Sequence, residues 1–386
     1  MFAIPGIVLL LLHSYLQPQT LIVELQALPL LPLFFALALF GLAVDLKLRQ
    51  SQLVAAPQLG WASAFIGWTL LSVGLQARGG AQPAATGLAA SFLTFFVIAQ
   101  GVQSFRALSI LAATLLSSAL CLAAVAARRG VLADPDPQAL ALGIALPFAF
   151  AFFERKRSAA RGLLLALTVA LVGLCVLVTR SRGGQLVVLT VLGVYLVKRY
   201  GARGLVAGAF VAAPLLLLVG DGSGGLATAR PGALHAALDL LRRHPWRGLG
   251  YGQAALPVHD SFALVGAEGG LAGLFLWTSM LYLSIKVVLT ILRRYADDAD
   301  AAVARLWAWA LLASLAGMSI GAFILSFCYH AVFWIYVGLV GGLYQATRAH
   351  DPKLEIHFQR RDLFRIAAID AAIVAGLWVC TALKLA

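Results

Sequence analysis

Residues 261–285 read SFALVGAEGGLAGLFLWTSMLYLSI, a run in which Glu268 is the one charged side chain. About 20 consecutive apolar residues cross the hydrocarbon core of a bilayer as a helix, so this segment predicts a membrane span and sets the class of the whole chain. Similar runs recur outward in both directions, near 3–18, 27–45, 53–75, 86–103, 106–126, 138–153, 160–179, 184–198, 203–220, 303–326, 329–346 and 366–384. Composition agrees: 61% of residues are hydrophobic and 12% charged, far outside the soluble range. The expected fold is all-α, a polytopic integral membrane protein of about 12 or 13 transmembrane helices, built as one membrane domain over residues 1–386. The run 366–384 either spans or lies elsewhere, and it decides the side on which the C-terminus sits. Met1 to Tyr15 carries no basic leader and no small-residue cleavage site, so it reads as a retained first span and not a signal peptide.

The formal net charge of +13 would suggest nucleic acid in a soluble protein, but here Lys and Arg cluster in short loops between apolar runs. That pattern is topological and excludes a nucleic-acid footprint. Alternating the loops puts Lys47/Arg49, Arg106, Arg155–Arg157, Lys198/Arg199/Arg203, Lys286/Arg293/Arg294 and Arg348 through Arg365 on one side, the cytoplasmic one. The long loop 221–260 then faces the extracytoplasmic side. Cys121, Cys175, Cys328 and Cys380 show no CxxC spacing, which argues against a zinc site or a disulfide framework.

Within the long loop, Gly222–Gly225 is a flexible lead. From Pro231 to His244, Leu234, Leu238 and Leu241 recur at helical spacing, which predicts an amphipathic helix lying at the membrane surface and ended by Pro245. Beyond it come His244-Pro245-Trp246-Arg247-Gly248-Leu249-Gly250-Tyr251-Gly252, then His259-Asp260-Ser261-Phe262 and Glu268-Gly269-Gly270. Two histidines, an arginine and two acids gathered at the mouth of a membrane domain suggest chemistry, because ionisable groups at that depth are costly. Arg180-Ser181-Arg182-Gly183-Gly184, at a span boundary, sets guanidiniums beside glycines, where phosphate can approach closely. The competing role for these arginines is snorkelling to head groups. Arg230 and Arg247 flank the amphipathic helix and are placed to close over a pyrophosphate, while Arg242 and Arg243 read as attractors of anionic lipid. His259 is the residue type of a general base near neutral pH. His259, Asp260 and Ser261 are adjacent and so cannot form a hydrolytic triad. Glu268 is either a substrate ligand or a buried structural acid. Gly266/Gly270 and Gly269/Gly273 have small-xxx-small spacing, for which close helix packing is sufficient explanation. Gly248/Gly250/Gly252 follow no strand and are not a dinucleotide fingerprint. Asp134-Pro135-Asp136 has the form of the DxD of metal-dependent glycosyltransferases, but such acidic patterns are common and no metal site is predicted.

Three blocks, in order, resemble the bacterial O-antigen ligase and Wzy-type polymerase superfamily of polytopic sugar transferases. They are Asp134-Pro135-Asp136, Arg180-Ser181-Arg182-Gly183, and Arg230 with His244–Gly252 and His259–Gly273. The resemblance implies transfer of a preassembled glycan from a polyprenyl pyrophosphate carrier to an acceptor sugar hydroxyl, such as lipid A core, without cofactor, metal or nucleotide sugar. It assigns His259, Arg182 and Arg230 to catalysis. Arg180, Arg247, Asp260 and Glu268 are the expected substrate contacts. It also implies a multi-pass protein of the bacterial inner membrane, whose partners are the lipid-linked donor, a glycan or glycolipid acceptor and membrane lipids, with the site facing the periplasm. Two departures stand out: Asp136 where the family often has Asn, and Asp260 or Ser261 where its last block often has Asn. A polymerase of repeat units is the alternative within the class. Outside it stands a transporter, which predicts discontinuous helices and paired ionisable groups at mid-membrane.

Overall fold

The computed structural model describes every residue except 77–80, 130–134, 179–180, 202, 205–225, 255–257 and 386. Among the described residues there is no strand, and the longer α-helices are α1 (Ala3–Leu16), α2 (Leu30–Lys47), α3 (Leu59–Gln76), α4 (Ala81–Gly101), α5 (Phe105–Arg129), α6 (Pro135–Arg155), α7 (Ala159–Val178), α8 (Arg182–Tyr200), α9 (Leu226–Arg243), α10 (Ser261–Arg294), α11 (Ala302–Ala322), α12 (Ala331–Arg348) and α13 (Arg360–Leu385). The chain is an all-α polytopic membrane protein. Seven helices (α2, α5, α6, α7, α10, α11 and α13) are long and apolar enough to cross a bilayer, and α1, α3 and α4 hold shorter apolar stretches. The doubtful run 366–384 thus belongs to a helix of spanning length, α13. The expected span 203–220 lies almost wholly outside the described residues.

The ionic contacts mark one end of the bundle. Lys286 pairs with Asp362 at 2.6 Å, Arg294 with Asp351 at 2.7 Å, and Lys198 with Glu154. Asp45 receives the amide N–H groups of Phe2 and Ala3 and faces the N-terminal amine at 3.3 Å. Arg155 reaches Ser109 at 2.9 Å. These are loops that the alternation assigned to a single side. Between the ends, Trp277, Trp307, Trp334, Phe148 and Phe333 are fully buried. Lipid gives no hydrophobic drive for helices to associate, so close backbone approach carries much of the packing. On α12, Gly338, Gly341 and Gly342 abut Ile98 and Ala99 of α4 and Val102 just past its end, where a Cβ would sit at 3.0 Å or less.

At 34 residues, α10 is about 51 Å long at 1.5 Å per residue, well beyond a bilayer core of roughly 30 Å. It is also discontinuous: Gly270 has φ 68° and ψ −169°. The stretch 271–294 is long enough to span alone, which leaves 261–269 as a separate segment beyond it. Against that segment packs α9, with Ala237 enclosed by Val258, Ala263 and Ala267 and with Leu377 of α13 alongside. One expectation is corrected here: the helix begins at Leu226, so Arg230 and Pro231 lie inside it and not at its start. Its apolar face, with Leu238 and Leu241 buried, packs on α10 and α13.

Candidate functional site

A helix break frees backbone groups that must find partners away from water. The turn 244–252 supplies them. Leu271 N–H donates to the Pro245 carbonyl at 2.7 Å, Leu249 N–H to Ala267 at 2.9 Å and Gly250 N–H to the Glu268 carbonyl at 2.8 Å. The Trp68 indole donates to Gly269 at 2.8 Å, and the Ser72 hydroxyl to Arg247 at 3.1 Å. Such closeness needs glycine. A Cβ on Gly248 would lie 2.3 Å from the Glu268 carbonyl carbon, and one on Gly270 2.5 Å from that of Trp246. Gly270 therefore breaks a helix and seats a turn, where helix packing was the expected role. Glu268, 4% exposed, accepts the Gly252 N–H through Oε1 at 2.9 Å.

Asp260 is the N-cap of α10: its Oδ1 accepts the Ala263 N–H at 2.8 Å. Its burial raises the carboxyl to about 7, with the Ala263 and Phe262 amides opposing that shift. One oxygen of this expected substrate contact is thus committed to the helix. Ser261 Oγ donates to the Leu325 carbonyl at 2.6 Å and accepts the Phe327 N–H at 3.0 Å, while the Ser326 hydroxyl donates to Val258. The segment 258–261 is in this way fastened to the connection between α11 and α12. His259 sits in it half-buried, and among the described residues its ring makes no hydrogen bond.

The same connection receives the start of α8. Ser181 caps that helix by accepting the Gly184 N–H at 3.1 Å, and Gly183 faces Ile324 and Leu325, where a Cβ would stand 3.2–3.3 Å away. The backbone of Arg182 is therefore beside the connection that holds His259. Its side chain and that of Arg230, together with all of Arg180 and Asp134, lie outside what is described. Arg230 is seven residues, two turns, from Ala237, so it occupies the same face of α9 about 10 Å further from the Val258 contact. Arg247 is exposed, and its carbonyl accepts the Ser72 hydroxyl.

Two aromatic residues of the site escaped sequence reasoning. Tyr251 and Tyr329 meet edge to face at 4.5 Å, and Tyr329 stacks on Phe65 at 6.0 Å. Burial and then the nearby Glu268 carboxylate push both phenols above their ordinary range. The signal available was the short Phe327-Cys328-Tyr329-His330 connection, aromatic and polar between two spans. Among the described residues no three His, Cys, Asp or Glu side chains gather as a metal site. No protein-family model matches the chain, and no curated protein matches it either. The fold and site thus define a class, a polytopic helical membrane protein with a polar mouth built around a broken helix.

Proposed function

We propose that the protein is a membrane glycosyltransferase that moves a preassembled glycan from a polyprenyl pyrophosphate to an acceptor sugar hydroxyl, at the extracytoplasmic face of a bacterial inner membrane. The observation that carries the reading is the convergence of the Arg182 backbone and the His259 segment on residues 324–327. Arg182 and Arg230 neutralise the pyrophosphate as the glycosidic bond breaks, an electrostatic role that is often the largest catalytic contribution. His259, with no partner among the described residues, takes the proton of the acceptor hydroxyl. A groove of about 580 Å³ supports a lipid-linked donor; Phe262, Thr278, Leu281, Phe323, Ile373 and Leu377 line it, and it begins two residues from Asp260. The acceptor is lipid A core in the ligase form of this reading and a growing repeat-unit chain in the polymerase form. The test is transfer by purified protein from a polyprenyl-linked glycan to a set of acceptors, with Arg182→Lys and Arg230→Lys. Loss of the planar fork cuts transfer at least tenfold in each variant; wild-type rates in both would return the arginines to head-group contacts.

A transporter is the second reading, favoured by the break at Gly270 and by Asp370, an acid 8% exposed within α13 beside Thr278 of α10. Substrate uptake into proteoliposomes, abolished by Asp370→Asn, with no glycan transfer, would establish it over the first.

A further inference from the structure

We propose that the turn Arg242–Arg247 is a docking site for the anionic headgroup of a bilayer lipid. This does not depend on the glycosyltransferase reading. Residues 242–247 are all exposed, between buried Leu241 and buried Gly248. Their main chain is nevertheless fixed: Gly248 N–H donates to His244 at 3.0 Å, Leu271 N–H to Pro245 at 2.7 Å, and the Ser72 hydroxyl to Arg247 at 3.1 Å. A rigid backbone with outward side chains presents Arg242, Arg243, His244, Trp246 and Arg247 together. Among the described residues, Asp239 accompanies them, at 2.7 Å from Arg243.

Position identifies the partner. The turn is bonded to α3 and α10 beside Leu71, 54% exposed, and Leu271, 40% exposed. In a membrane protein such outward leucines meet lipid chains. The turn therefore stands where acyl chains give way to headgroups, and Trp246, 75% exposed, has the amphipathic ring suited to that boundary. Arginine forks match phosphate oxygens with paired hydrogen bonds, and the excess of positive charge selects an anionic headgroup over a zwitterionic one.

The test uses the full-length protein in nanodiscs of phosphatidylcholine containing either brominated phosphatidylglycerol or brominated phosphatidylcholine, at equal mole fraction and with bromine at the same acyl position. The Trp246 signal is the fluorescence difference between wild type and Trp246→Phe. We expect stronger quenching by the glycerol lipid, equivalent to about fivefold or more local enrichment. The triple variant Arg242→Gln/Arg243→Gln/Arg247→Gln should lose the preference and keep the quenching by phosphatidylcholine. Should the triple variant not reach the nanodisc, Arg242→Gln alone should reduce the preference. Equal quenching by both lipids in wild type would overturn the proposal in favour of an unselective interfacial turn. Quenching by neither would overturn it in favour of a surface covered by protein, including a second copy of the chain.

Discussion

The two ends of the bundle treat their acids differently. At one end the buried carboxylates have cations: Asp362 holds Lys286 at 2.6 Å, and Asp45 faces the N-terminal amine at 3.3 Å. At the other, Asp260 and Glu268 are each 4% exposed, and among the described residues they are held by the amides of Ala263 and Phe262 and by the Gly252 amide and the Tyr329 phenol, respectively, with no cation paired to either. A buried carboxylate without a cation is costly, and proteins retain such groups preferentially at functional sites. The first end uses charge to hold helices together. The second holds its acids with main-chain amides and a phenol around a broken helix, beside a histidine whose ring bonds to no described residue.

The largest effect expected from breaking this contrast is at the helix break itself. Gly248→Ala and Gly270→Ala each drive a Cβ into backbone at 2.3–2.5 Å from a positive-φ position, and neither main chain can yield easily. Each should cost on the order of 3 kcal/mol or more in thermal unfolding of detergent-purified protein. Gly193→Ala, in α8 with nothing within 4 Å, should be neutral or slightly stabilising; equal losses in all three would remove the close approach from the account. Next comes Lys286→Ala, which leaves Asp362, at 2% side-chain exposure, with the Tyr282 hydroxyl, the Gln359 amide and a longer contact to Arg365 at 4.0 Å. It should destabilise by about 1–3 kcal/mol, and Asp362→Asn added to it should restore part of that, as measured by the same unfolding.

A pH dependence is expected at Asp260. Its carboxyl rises from 3.8 to about 7 on folding, so folding favours the protonated form. That stabilisation is complete below about pH 4 and is lost as pH rises to about 7 and beyond. Asp260→Asn keeps an oxygen for the Ala263 N–H and removes the titration. Its thermal stability relative to wild type should be greatest at pH 8 and shrink toward pH 5. A difference that does not vary with pH would mean that Asp260 is ionised throughout.

Much of this was legible in the sequence. Twelve of the thirteen expected spans fall on described helices, since long apolar runs report directly on the hydrocarbon that surrounds them. Asp260 immediately before an apolar helix is a capping signal, and the structure shows that cap; the substrate contact that the resemblance implies for it concerns its other oxygen. The break at Gly270 was hidden because glycine in an apolar run equally suits close packing, and what decides is hydrogen bonding from residues twenty or so positions away. The start of α9 was misplaced because Pro231 resembles a first helical residue, whereas the helix takes it in its second turn. For Tyr329 the connection Phe327–His330 gives only a weak signal, because its partners Tyr251, Phe65 and Glu268 come from three distant segments.

The roles of His259 and His244 separate in one assay, with transfer from a polyprenyl-linked glycan and donor binding measured on the same preparations. His259 sits in the segment fastened to the α11–α12 connection, while His244 is exposed at the end of α9. His259→Ala should lower transfer by about 10²–10⁴-fold and leave donor binding nearly unchanged, and His244→Ala should transfer close to the wild-type rate. Equal activity in the two variants, or loss of donor binding in His259→Ala, would contradict the role of His259 as the base acting on the acceptor.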